Sequence, residues 1–248
     1  MKIWIDCGGT AEDLAAIRAA GKHLEISGCS SVAGRRSAKE AAEAVRSLGL
    51  PCVEGSGFPL VREPVGPVSA PAEENVTDAI YEAFRRNPGM TFLVLGPLTN
   101  LARALIAHPQ LSSLVGQVLV AGGTHGGGNV SPRVEFHIWA DPHAAHLVLN
   151  SGVPVSLLTL DACRQVQGDE NGLRQSMAAV AALVDPELFA FREYRVDVEL
   201  QSGLCLGQTV IDFTGVSHKA PNARVALEGD APAYQKLRTR LLQDLAEK

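Results

Sequence analysis

The sequence predicts one α/β domain built on an open, mostly parallel sheet with helices on both faces and a β-hairpin near the C-terminus. Three observations carry this. Short apolar runs of strand length alternate with helix-like segments over most of the chain, the pattern of repeated βα units. The 248 residues can bury one sizeable core. Hydrophobic residues at 46% and charged residues at 20% match an ordinary folded domain.

The first strand is expected over Ile3–Ile5, followed by a helix over Glu12–Ala20 with Thr10 as its N-cap and two acids in its first turn. Further strands are expected at Glu25–Ser31, Pro51–Glu54, Thr91–Leu95, Gln117–Ala121 and Val155–Leu160. The helices between them are placed at Ala38–Leu48, Val76–Arg86, Leu101–Ile106 and Pro142–Ser151. Gly57–Pro71 carries Pro59, Pro64, Pro67 and Pro71, so it holds neither a ladder nor a helix interior and reads as a loop. Beyond Cys163 the alternation weakens. A helix over Met177–Leu183 ends before Asp185-Pro186, Arg195–Leu200 and Gln208–Phe213 form the hairpin, and Tyr234–Glu247 is a charged terminal helix.

Composition excludes several roles. A net charge of −5, no basic block and 5% aromatic residues argue against nucleic-acid binding. No apolar stretch approaches the length of a membrane span, and Asp6 interrupts the N-terminal run before a signal-peptide core forms. Five cysteines without a C-x-x-C pair fit a reducing compartment, so a cytoplasmic location is expected.

In such a sheet, ligands collect beyond the carboxyl ends of the strands. Asp6 follows the first strand and Glu12 and Asp13 open the next helix, so three carboxylates could converge on a cation there. The same acids also suit a helix N-terminus electrostatically, and both readings stay open. A second cluster is AGGTHGGGNVSPRVEFHIWADPHAAH, residues 121–146, where glycines permit close backbone approach and Asn129, Glu135 and His137 offer groups for hydroxyls. It has neither a P-loop ending nor a G-x-G-x-x-G spacing. His125, His137, His143 and His146 invite a metal site, but no third ligand is fixed by local sequence and His143 and His146, three apart on a helix, read as a solvated helix face, while Cys163 reads as a buried thiol.

Taken together, several segments resemble the nucleoside hydrolases of the inosine-uridine-preferring type. IDCGGTAEDLAAI is similar to that family's D-x-D-P-G-x-D-D-A segment, LVLGPLTNLARAL to its G-P-L-T-N turn and helix, and residues 118–162 to its M-G-G…G-N…A-E-F-N…D-P-x-A-A block. DPELFAFREYRVDVELQSGLCLGQTVIDFTG is similar to its ending. The resemblance implies a Rossmann-like fold and cleavage of the N-glycosidic bond of a ribonucleoside, with a calcium ion holding the ribose diol and the attacking water. It also implies roles for individual residues. Asp13 matches a metal ligand, Asp6 the first Asp of the motif, and Leu95 the position that offers a backbone carbonyl to the metal. Asn129 and Glu135 match contacts to the ribose 5′-hydroxyl.

Elsewhere the pattern departs. Gly8 stands where the family has the aspartate that is both ligand and general base, Glu12 replaces a ribose-contacting Asp, Arg35 an Asn, and His137 the second Asn of the G-N…E-F-N block. A helical segment with an H-D-P-L-A motif is missing, and Arg174, Gln175 and Ser176 fall where its His-Asp belongs. The expectation is a remnant metal site of Asp6, Asp13 and Leu95 with no cofactor, or calcium held weakly. Glu12 and Asp13 are the candidate catalytic acids, and Asn129, Glu135, His137 and Arg35 the candidate sugar contacts. The expected partner is a ribonucleoside or ribose-like small molecule, with no nucleic acid and no membrane, in a homo-oligomer. A hydrolase with a rebuilt site, a silent nucleoside or ribose binder, and a scaffold with a vestigial pocket all remain open.

Overall fold

The computed structural model describes residues 1–69, 75–168 and 175–245. Strand β1 (Lys2–Cys7) leads through a tight turn into α1 (Ala11–His23), then β2 (Glu25–Ser31), α2 (Ala38–Arg46) and the short β3 (Cys52–Val53). The turn needs glycine at position 9: its φ is +67°, and a Cβ there would stand 2.4 Å from Ala41 Cα. The middle of the chain gives α3 (Val76–Arg86), β4 (Thr91–Leu95), α4 (Thr99–Ala107), β5 (Gln117–Ala121), α5 (Phe136–Ala140), α6 (Pro142–Leu149) and β6 (Val155–Leu158). After α7 (Leu160–Gln167) and α8 (Gln175–Val184) come β7 (Phe189–Val198), β8 (Thr209–Asp212), β9 (Ala223–Gly229) and α9 (Ala231–Gln243).

Among the described residues, nine strands form one sheet in the order β3-β2-β1-β4-β5-β6-β9-β7-β8. Every neighbouring pair from β3 to β9 is parallel, while β7 runs antiparallel to both β9 and β8. Alternation along β1 sends Ile3, Ile5 and Cys7 to a core shared with α1 and α8, and Trp4 to a core shared with α3, α4 and α6. Helices therefore cover both faces, as the sequence predicts. Strand order reverses direction between β1 and β4, which opens a crevice at the carboxyl edge there.

The expected hairpin exists as β7–β8, but β9 lies between it and β6, and β7 begins at Phe189 rather than Arg195. Neither β9 nor α7 is anticipated by the sequence reading. The α7 stripe of Leu160, Cys163 and Val166 spans barely two turns and runs straight on from the apolar run of β6. Pro71, Arg174 and the end of the expected terminal helix lie outside the described residues.

Candidate active site at the carboxyl edge

The crevice is built first by the N-terminus of α1. Thr10 caps the helix: its Oγ1 accepts from Asp13 N (3.2 Å), and Asp13 Oδ2 accepts in return from Thr10 N (3.0 Å). The opposite wall of this corner is the start of α8. Ser176 Oγ donates to Asp13 Oδ1 (2.6 Å), and Ser176 N donates to Glu12 Oε1 (2.7 Å). One serine thus holds both acids. Burial pushes the Glu12 carboxyl up to about 7 against the lowering effect of the Ser176 N–H, and burial also raises Asp13.

The facing wall comes from the loop after β5 and from α5. Glu135 is the N-cap of α5, where Oε1 accepts from His137 N (2.9 Å) and Oε2 from Ile138 N (3.2 Å) and Gly123 N (3.1 Å). Asn129 Oδ1 accepts from Phe136 N (2.8 Å). His137 Nδ1 donates to Ala121 O (2.7 Å), which orients the ring. Arg35, from the loop after β2, lays its guanidinium 4.1 Å from the centre of the Phe136 ring. The glycine-rich segment is tied down by Asp161, which accepts from Thr124 Oγ1, His125 N and Gly126 N, and by Thr209 of β8, which bonds Thr124.

Glu12, Asp13, Arg35, Asn129, Glu135 and His137 all line one small cavity of about 100 Å³. That is below the ~300–1,000 Å³ of pockets that bury drug-sized ligands. A larger depression of about 610 Å³ lies on the opposite, amino edge around Asn150, Arg195 and Arg224, away from the strand-order reversal. The chemistry favours the small one, where acids, a cation and an imidazole meet.

Two expected site residues are not on the cavity wall. Asp6 is fully buried, and its Oδ1 accepts from Ser30 Oγ (2.6 Å) and Asn100 Nδ2 (2.8 Å) while Oδ2 has no hydrogen-bond partner among the described residues. Burial lifts its carboxyl to about 7, so the protonated form suits this position. Leu95, whose expected role is that of its backbone carbonyl alone, ends β4 with its side chain in the core, and the residues lining the cavity there are Gly96 and Pro97.

As a seat for a hard divalent cation this donor set fits poorly. Both Asp13 oxygens already accept hydrogen bonds, Asp6 stands outside the cavity, and Gly8 brings no side-chain oxygen. Among the described residues no group of three His, Cys, Asp or Glu side chains could hold a metal ion. Gly8 does have room: a Cβ built there would stand 3.7 Å from Asp13 Oδ2. Burial pushes the Cys163 thiol up, out of the range of a nucleophile, as the buried-thiol reading expects.

Sequence reasoning named Gln175 and Ser176 only as occupants of a lost motif. Ser176 is 163 residues from Asp13 in the chain, and no local signal announces that contact. Gln175 lines the cavity, is 6% exposed and keeps Nε2 buried without a hydrogen-bond partner among the described residues.

Comparison with known proteins agrees with the motifs. The chain is 29% identical to the non-specific ribonucleoside hydrolase RihC of Escherichia coli O139:H28 (strain E24377A / ETEC), over 95% of this chain and 96% of that protein. The aligned length of 292 exceeds this chain's 248 residues, so the relative has segments without a counterpart here. Among solved structures, the plant nucleoside hydrolase PpNRh1 superposes with a TM-score of 0.84 at 23% identity, covering 97% of this chain and 98% of that one. An inosine-guanosine nucleoside hydrolase gives 0.84 at 20% identity, covering 98% of both chains. The profile described as "Inosine-uridine preferring nucleoside hydrolase" matches residues 3–236, and this chain belongs to that family.

Proposed function

We propose that the cavity binds the ribosyl part of an N-riboside and that the chain hydrolyses the N-glycosidic bond without calcium and slowly, with Glu12 receiving the proton of the attacking water. The observation that carries this is the placement of Glu12 and Asp13 on the first turn of α1, on the same 100 Å³ cavity as His137 and Arg35. Glu12 Oε1 is held by Ser176, which orients the carboxylate toward a fixed position. Arg35 and His137 supply polar contacts to the sugar. Loss of a general base costs about 10²–10⁴-fold in such reactions, and the position that would combine that role with metal binding is Gly8. Turnover therefore falls well below that of an ordinary hydrolase.

The small cavity volume favours a second reading, a silent binder of ribose alone. The four buried and one half-buried free cysteines support a reducing, cytoplasmic setting. Exposed Val210 on β8, with exposed Phe213 and Val216 just after it, supports self-association.

The test is hydrolysis of inosine and uridine in EDTA and in calcium, with ribose-induced thermal shift in parallel. We expect a ribose shift, slow turnover indifferent to calcium, and at least a tenfold loss in kcat for Glu12→Gln. Calcium-dependent turnover near 1–10³ s⁻¹, as an order of magnitude, contradicts the proposal. A ribose shift with no turnover selects the silent binder.

A further inference from the structure

We infer that Asp161 is a positioning residue for the sugar: by bracing the glycine-rich segment against α7 it sets where Asn129 and His137 stand in the cavity. This rests on the ribosyl-hydrolysis reading above and adds to it an element, outside the cavity, that shapes the sugar wall. A run of glycines is conformationally permissive unless other groups hold it, and this one is held along its length. Asp161, in the first turn of α7, accepts from Thr124 Oγ1 (2.9 Å) and His125 N (2.8 Å) on Oδ2 and from Gly126 N (3.1 Å) on Oδ1. Arg164, three residues on along the same helix face, donates to the carbonyls of Gly127 and Gly128. Leu160 N, at the start of the helix, donates to Gly123 O (2.9 Å). The approach is close enough that a Cβ on Gly126 would stand 2.4 Å from Asp161 Oδ1.

Both ends of the braced stretch land on the start of α5. Before it, Gly123 N donates to Glu135 Oε2 (3.1 Å), and after it, Asn129 Oδ1 accepts from Phe136 N (2.8 Å). Glu135 in turn accepts from His137 N, and the His137 ring is held on the carbonyl of Ala121, which ends β5 just before the glycines. Asn129 and His137 line the cavity, whereas Asp161 stands behind the segment that carries them. Asp161 therefore acts on the sugar through these two residues.

The carboxylate matters for its number of acceptors. Its two oxygens take three donors, whereas an amide offers one acceptor oxygen and turns a donor the other way. Asp161→Asn loses either the Gly126 bond or the pair from Thr124 and His125, and it sets one N–H against another donor. The segment then loosens at Asn129 and at the first turn of α5, while Glu12, held by Ser176 on the opposite wall, keeps its place. Sugar contacts weaken equally in ground and transition states, which raises KM and spares kcat.

The test joins amide hydrogen exchange, read by mass spectrometry, with ribose binding by calorimetry and hydrolysis of inosine and uridine in EDTA, on wild type and Asp161→Asn. We expect amides of residues 123–138 to exchange at least tenfold faster in the variant, those of His137 and Ile138 among them, with α1 unchanged. The Kd for ribose and the KM should rise at least tenfold, with kcat within threefold of wild type. Arg164→Ala, which removes both carbonyl bonds, should show the same changes and stands in for Asp161→Asn should that variant not fold. Faster exchange with Kd and KM unchanged makes Asp161 merely structural and overturns the inference. Protection of His137 and Ile138 that stays at the wild-type level overturns it as well. If wild type binds no ribose and cleaves neither nucleoside, the ribosyl-hydrolysis reading falls, and exchange at His137 and Ile138 alone decides the brace.

Discussion

Ser176 Oγ stands 2.6 Å from Asp13 Oδ1 and joins the start of α8 to the first turn of α1. Its backbone N–H reaches Glu12 at the same time, so a single residue places both acids of the cavity. Where the family resemblance implies a metal-ligating carboxylate, this chain supplies donors, and donors satisfy carboxylates without a cation.

Replacing Ser176 with Ala leaves Asp13 Oδ1 buried without its donor. We expect a loss of about 1–3 kcal/mol, read as a lower Tm at roughly 2–4 °C per kcal/mol for a chain of this size. A Tm within 1 °C of wild type would mean that the contact holds nothing.

Asp6 gives a pH dependence with a definite sign. Its folded carboxyl is raised to about 7 from an ordinary value of 3.8. Below about pH 4 the group is protonated in both states and carries no penalty. Between about 4 and 7 the folded state keeps a proton that the unfolded chain has released, so stability falls as pH rises. Asp6→Asn removes this while retaining acceptors for Ser30 and Asn100. Relative to wild type, the variant should gain stability from pH 4 to pH 7.5, by about 4 kcal/mol at one decade per 1.36 kcal/mol. Parallel denaturant midpoints for the two proteins across that range would refute it.

Glu135 is the third case. Its carboxylate takes three backbone N–H groups, so it builds α5 and the glycine-rich turn as well as lining the cavity. Glu135→Gln places an amide donor against one or more of those donors. We expect a cost of about 1–3 kcal/mol in the unliganded protein, measured by urea unfolding, together with a weaker ribose shift. A variant as stable as wild type would return Glu135 to a purely ligand-facing role.

Much of the sheet was legible because buried parallel strands such as Thr91–Leu95 and Gln117–Ala121 are short continuous apolar runs, and the structure places both with those bounds. Capping was legible too, since Thr10 and Asp13 sit three apart in a local pattern that realises the helix-start reading of these acids. β9 was not. Its pairing with β6 and β7 is decided by residues far along the chain. The site divides in the same way: motif order brought Glu12, Asp13, Asn129, Glu135, His137 and Arg35 to one cavity, whereas the withdrawal of Asp6 from the wall comes from its bonds to Ser30 of β2 and Asn100 of α4, and the grip of Ser176 from packing between α1 and α8.

The most direct test of a calcium-free site is elemental analysis and calcium titration after dialysis against chelator, on wild type and on Gly8→Asp/Ser176→Asp. The room beside Gly8 admits the new side chain, and the second substitution exchanges a donor for a third carboxylate. We predict no stoichiometric calcium and no calcium-induced thermal shift in wild type, with a shift appearing in the double variant. About one calcium per chain in dialysed wild type would contradict the account.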